Sequence, residues 1–183
     1  MVRFANQMSS SDQMSRGFIE RIPANSRTRF RLEGGHNSTV GLSTYLLAFK
    51  LNSSLPILFA YQRFSFASPC PTRRGFLSFQ EIAEDTTNSW NSATHQYTAP
   101  VTGTYYVDLG VVVRSLNTVE ASVEVNGLRK FRLIKLRSLH TSSEFISKGG
   151  LVHMTKDDVL TIVYTGCIAA DNMSSSIAIF LVP

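Results

Sequence analysis

Few features of this chain identify its chemistry at once, and each shortage excludes something. Only 2 of its 183 residues are cysteine, Cys70 and Cys167. A disulfide framework needs more than one bridge, so none is built here. The two thiols either pair once or stay apart, and the sequence leaves both readings open. Glycine numbers 11 and proline 6, with no glycine at every third position, so the chain holds no collagen stalk. No run of about 18 apolar residues exists, so no spanning helix and no membrane insertion are expected. The most apolar stretch, Tyr45 to Tyr61, is broken by Lys50, Asn52, Ser53, Ser54 and Pro56. No secretory signal peptide is visible, because the first apolar cluster is only Val2, Arg3, Phe4, Ala5. Either the chain is intracellular or its true start differs from Met1. No internal repeat is present.

Catalytic constellations are missing too. The histidines, His36, His95, His140 and His153, stand in no spacing that makes a metal pair on one strand or helix. Nucleophile elbow, phosphate loop and dinucleotide fingerprint are absent. Asp157-Asp158 precedes a strand and reads as a solvated turn rather than an acid/base pair. The expectation is a protein that is not an enzyme, with no cofactor and no metal.

Charge is modest, at 17% of residues, against 43% apolar. That balance supports a folded core rather than disorder. The net charge of +5 is uneven. Residues 1–55 hold 7 basic against 3 acidic groups, and residues 56–183 hold 11 against 10. A nucleic-acid domain concentrates charge on its folded part, so no nucleic-acid partner is expected.

The length fits one domain of about 150 residues with an extension. Residues 1–55 show no sustained period and read as a weakly structured N-terminal extension, with a short helix possible over Ser11 to Arg21. From Leu55 the texture becomes β. Ile57, Phe59 and Tyr61 alternate with Leu58, Ala60 and Gln62. A loop follows through Pro69, Cys70, Pro71 and Arg73-Arg74-Gly75. Tyr105, Val107, Leu109, Val111 and Val113 share one face of a strand, against Tyr106, Asp108, Gly110, Val112 and Arg114 on the other. Val119, Ala121, Val123 and Val125 alternate with Glu120, Ser122, Glu124 and Asn126. Asn126-Gly127 then supplies a hairpin turn. Leu160, Ile162 and Tyr164 form another strand, and Ile177, Ile179 and Leu181 a last one. Short strands separated by turn signals, without helical periodicity, predict an all-β sandwich or jelly roll.

The stretch Phe79, Asp85, Trp90, Tyr97, Gly103, Tyr105, with the text Tyr97-Thr-Ala-Pro-Val-Thr-Gly-Thr-Tyr105, resembles the signature of the complement C1q globular-head family. Glu124-Val125-Asn126-Gly127 resembles that family's hairpin. Val152, Met154, Asp157, Asp158, Leu160 and Ile162 resemble its next strand–turn–strand, and Ser174 to Leu181, including Phe180, its closing strand. The resemblance spans 56–183. Departures are Tyr97 where the family prefers Phe, Val107 and Leu109 where it prefers aromatics, and Asp157 where it usually has Gly. All of the first three stay apolar enough to keep the fold.

The resemblance implies a C1q/TNF-like jelly-roll β-sandwich of about ten strands. In that reading Phe79, Trp90, Tyr97, Gly103, Tyr105, Asn126, Gly127 and Phe180 are family-motif residues that build the core and its turns. It further implies a tight homotrimer and a secreted, extracellular binding role toward microbial surfaces, immune complexes, apoptotic cells or receptors. Some members hold calcium through acidic ligands upstream of Asp157. Here that region is the basic run Lys135 to His140, with Glu144 its one acid, so no metal is expected.

The residues add a hint about ligand sign. Arg129, Lys130, Arg132, Lys135 and Arg137 place five cations within nine positions. If extended, Lys130 and Arg132 share a face, and so do Lys135 and Arg137 after a bulge near Leu133-Ile134. Such a strip suits an anionic glycan; it equally suits a sheet edge guarded against aggregation. Asn37-Ser38-Thr39, Asn52-Ser53-Ser54 and Asn172-Met173-Ser174 fit the glycosylation pattern, which matters only on the secretory route. The leading expectation is a secreted homotrimeric recognition module in innate-immune, complement-like pattern recognition, with itself and an anionic glycan or protein receptor as partners. The alternatives are a TNF-like trimeric ligand for a cell-surface receptor, an intracellular structural jelly roll and, last, a hydrolase.

Overall fold

The computed structural model describes residues 54–62, 74–114, 118–137, 143–168 and 175–182, with backbone alone at 114, 143 and 144. Residues 1–53, the Pro69-Cys70-Pro71 loop and the three asparagines of the glycosylation patterns lie outside the described residues. So does the helix expected over Ser11 to Arg21.

Eleven strands are formed. They are β1 (Ile57–Tyr61), β2 (Gly75–Phe76), β3 (Glu81–Asp85), β4 (Trp90–Asn91), β5 (Gln96–Thr98), β6 (Gly103–Arg114), β7 (Val119–Val125), β8 (Leu128–Lys135), β9 (Ser143–Met154), β10 (Val159–Thr165) and β11 (Ser176–Leu181). No helix occurs among the described residues. A five-stranded antiparallel sheet runs β3-β1-β11-β6-β9. A six-stranded sheet runs β4-β5-β10-β7-β8, with β2 pairing the far end of β10. This is the jelly-roll sandwich expected from the sequence. The count passes ten through two-residue pieces, β2 and β4.

Period-two patterning decides which side of each strand is buried. On β6, Tyr105, Val107, Leu109, Val111 and Val113 are all fully buried. Leu109 and Val107 stand opposite Ile177 and Ile179 of β11, which stand opposite Ala60 and Leu58 of β1. From the other sheet, Val123 and Ala121 of β7 pair with Ile162 and Tyr164 of β10. The two inner faces close one core. Each fully buried Leu or Ile contributes about 1.5–3 kcal/mol.

The family-like signature has a physical meaning here. Asp85 accepts backbone N–H bonds from Ser89 (3.0 Å) and Trp90 (2.9 Å), which fixes the turn after β3. That turn delivers the Trp90 ring edge-on to Phe79, at 5.7 Å, while its indole N–H donates to the Phe79 carbonyl at 3.1 Å. Tyr97 meets Tyr105 edge-on at 6.2 Å. The Tyr105 hydroxyl donates to the Val101 carbonyl at 2.7 Å and so clamps the turn that feeds β6. Gly103 sits against the Leu181 side chain, where a Cβ would collide.

Three motif residues lie outside the core, one on a sheet face and two in a turn. Phe180 is half-buried on the opposite side of the five-stranded sheet, against Tyr106 at 5.2 Å. Asn126 and Gly127 are exposed at the tip of the β7–β8 hairpin, with φ of 51° and 76°. Positive φ at both positions is what a two-residue turn joining twisted strands requires.

Candidate functional site

The described surface presents three features: the cationic strand β8, the groove beside it on the six-stranded sheet, and the outward face of the five-stranded sheet.

The bulge in β8 falls earlier than the sequence suggests. Val123 pairs with Phe131 and Glu124 with Arg129, which leaves Lys130 as the extra residue. Downstream of it, Phe131 and Leu133 turn toward the core, and Arg132 and Ile134 turn outward. Arg129 therefore shares the outward face with Arg132 rather than opposing it. Both guanidinium groups lie beside Glu120, at 3.3 and 3.6 Å. Lys135 is half-buried in the inward register opposite Val119, and its ammonium donates to the Leu136 carbonyl at 3.1 Å. The backbone N–H of Arg137 donates to the Thr118 hydroxyl at 3.3 Å. Exposed Lys130 adds to the field at Asp158. The five cations thus do not form one continuous row. Two share a carboxylate, and the others sit at the bulge and the strand end.

Asp157 and Asp158 form a structural turn. Asp157 holds φ at 71°, the left-handed region where glycine is favoured. Asp158 accepts the Thr155 N–H at 2.8 Å and the Asn126 amide at 2.7 Å. These hydrogen bonds, the Thr155 backbone first, hold its carboxyl below the usual aspartate range. Asn126 returns the contact by accepting the Val159 N–H at 2.9 Å, so the hairpin tip and this turn lock together.

The groove was not foreseen from the sequence. It is lined by Arg74, Phe76, Gln96, Glu124, Thr161 and Val163 among others, with a volume of about 570 Å³. Glu124 has only 5% of its side chain exposed, though it points outward from β7. Its carboxylate is satisfied by the Arg74 guanidinium, 63% exposed, and by the Ser122 hydroxyl at 3.2 Å. Phe76 stands 57% exposed on β2. These residues come from β2, the segment before it, β5, β7 and β10, so no single sequence spacing links them. The one available signal was a glutamate at an outward position of a strand rich in buried residues.

Outward from the five-stranded sheet, β1 turns Phe59 and Tyr61, β6 turns Tyr106, β9 turns Phe145 and β11 turns Phe180. Phe59 and Tyr61 lie 6.3 Å apart. Gly110 and Gly149 sit beneath the Phe145 and Tyr106 rings, where a Cβ would collide.

Inside the core, the Tyr97 hydroxyl is buried without a hydrogen-bond partner among the described residues. Burial pushes its pKa above the ordinary tyrosine range. Tyr105 and Asp85 add to the push; the nearby Ser89 side chain opposes it without reaching hydrogen-bond geometry. Cys167 is disulfide-bonded, and the chain's other cysteine, Cys70, lies outside the described residues. Among the described residues no group of three or more His, Cys, Asp or Glu is placed to hold a metal ion, and no helix is long and apolar enough to cross a membrane.

No protein-family model matches this sequence, and no curated protein does. Solved structures do match. The globular domain of zebrafish complement 1qA protein aligns with 15% identity and a TM-score of 0.55, over 70% of this chain and 98% of that one. Murine APRIL aligns with 12% identity and a TM-score of 0.56, over 70% of this chain and 99% of that one. A second structure of murine APRIL, at pH 8.0, gives 12% identity and a TM-score of 0.55, over 69% and 98%. At these identities the likeness establishes a shared C1q/TNF-like fold.

Proposed function

We propose that this chain is a non-enzymatic, secreted recognition module that assembles as a homotrimer. Its ligands are anionic glycans, microbial surfaces or protein partners, in recognition of the innate-immune type. The observation that carries the reading is the outward face of the five-stranded sheet. A sheet face meant for water alternates to polar residues. This one alternates from a buried aliphatic set to half-buried Phe59, Tyr61, Tyr106, Phe145 and Phe180, set among Gly110, Gly149 and Ala178, with polar Asp108, Ser147 and Ser176 in the same register. Aromatics and small residues on one broad face suit close packing head to tail against neighbouring copies around a three-fold axis, and a ring closed in that way leaves no open end. Clustering several copies then raises avidity for repetitive surfaces beyond the strength of any one contact.

The test is the solution mass of the full chain by size exclusion with light scattering, for wild type and for Tyr106→Glu with Phe180→Glu. Three times the 20.3 kDa chain mass, falling toward one chain in the variant, is the expected result. A wild-type monomer at micromolar concentration overturns the assembly. A second reading, a TNF-like trimeric ligand for a cell-surface receptor, is favoured by the likeness to murine APRIL. Binding to one purified receptor protein, with no binding to glycans or bacterial surfaces, selects it.

A further inference from the structure

The groove on the six-stranded sheet combines groups that a folded surface has no structural need to bring together. Burying a carboxylate is costly unless it is paired and hydrogen-bonded. Glu124 is paired, but by a cation that remains mostly in solvent. The pair therefore turns its positive end outward. A guanidinium carries five N–H donors, and among the described groups only Glu124 engages that of Arg74. On the floor, the Gln96 amide and the nearly buried Thr161 hydroxyl make no hydrogen bond to any described group. Val159, Val163 and the exposed Phe76 ring supply apolar surface beside them. The volume of about 570 Å³ falls within the roughly 300–1,000 Å³ of small-molecule sites.

A pyranose ring fits this set. Its C–H face stacks on an aromatic ring, its hydroxyls exchange hydrogen bonds with an amide and a hydroxyl, and a carboxylate substituent takes the guanidinium donors in a fork. The strand β8 offers less. Arg129 and Arg132 already share the Glu120 carboxylate on an exposed strand. We infer that the groove between Arg74, Phe76, Gln96 and Thr161 binds a hexuronic acid unit of an anionic glycan. This rests on the glycan-recognition reading above and gives that reading a place on the fold.

The experiment is an amide chemical-shift titration of the full chain with D-glucuronic acid, with D-glucose as the neutral control and heparin as the long anionic chain. Phe76→Ala and Gln96→Ala change exposed or half-buried side chains outside the core, so they leave the fold intact. Saturable shifts at Phe76, Gln96 and Thr161 are expected at millimolar glucuronate, with glucose weaker. Phe76→Ala should weaken glucuronate binding about fivefold or more, and Arg129→Gln with Arg132→Gln should leave it unchanged. Equal affinity for glucose and glucuronate overturns the assignment of an acid. Heparin binding that survives Phe76→Ala and Gln96→Ala but is lost in the arginine variant overturns the groove while the glycan reading stands. Absence of binding to glucuronate and heparin alike overturns both.

Discussion

Removing one oxygen atom from Tyr97 should stabilise the protein. The Tyr97 ring is fully buried and packs edge-on against Tyr105, but its hydroxyl has no hydrogen-bond partner among the described residues. Water satisfied that hydroxyl in the unfolded chain, so folding loses a hydrogen bond there. An unsatisfied buried group of this kind costs about 1–3 kcal/mol. Tyr97→Phe removes the cost, keeps the ring and leaves a void of one oxygen, which takes back part of the gain. A net stabilisation of about 1 kcal/mol follows, or a rise of about 2–6 °C in Tm for a domain of this size. The assay is thermal and urea unfolding of both proteins at neutral pH, repeated above pH 10. Burial raises the folded-state pKa of Tyr97 above the unfolded value of about 10. As pH rises through that value the unfolded chain releases its proton first. It then binds fewer protons than the native state, so wild-type stability falls with pH. The phenylalanine that replaces Tyr97 has no proton to lose. The advantage of the variant should therefore widen on the alkaline side. A variant less stable than wild type by about 1 kcal/mol or more refutes the reasoning, because the hydroxyl would then have a partner.

Three further substitutions test the turn before β10. Asp157→Gly should stabilise by up to about 1 kcal/mol in urea unfolding, since it relieves a left-handed φ at a non-glycine residue. Asp157→Ala at the same position should not stabilise. For Asp158, hydrogen bonds from Thr155 and Asn126 lower the folded-state pKa. The stability it contributes is present above the unfolded value of about 3.9 and is lost as pH falls through the lower folded value. Stability measured from pH 6 downward should accordingly fall less steeply in Asp158→Asn than in wild type.

The strands that the sequence revealed are those with uninterrupted alternation. Tyr105 to Val113 and Val119 to Val125 follow period two without a break, and the structure forms β6 and β7 there. The hairpin at Asn126-Gly127 was legible because its turn chemistry is local. Most of β9 was not, because Lys148, Gly149 and Gly150 interrupt the apolar pattern. Those glycines are explained only by partners distant in sequence: Tyr106 lies against Gly149, and Phe131 against Gly150. The facing of β8 depended on where one extra residue sits. The sequence offered Leu133-Ile134, and the register places the shift at Lys130 instead. The groove was the least legible feature. Its residues are scattered over four strands and the segment ahead of β2, and only sheet pairing brings Phe76, Gln96 and Glu124 around β10.

The pairing of β1 with β11 has a consequence for how the protein is made. Strand β1 has β11 as its central neighbour, more than a hundred residues later in the chain: Ile57 stands opposite Phe180, and the Leu181 N–H donates to the Pro56 carbonyl at 3.1 Å. On the other side, β11 is also what joins β1 and β3 to β6 and β9. Until the segment Ser176–Leu181 has been made, this sheet exists only as two separate pairs with open edges. Closing such distant pairings is slow, and open edges invite the wrong partners meanwhile. A chain that stops before Ser176 would lose the seam of a whole layer, and would emerge with β1, β3, β6 and β9 in a sheet that cannot close.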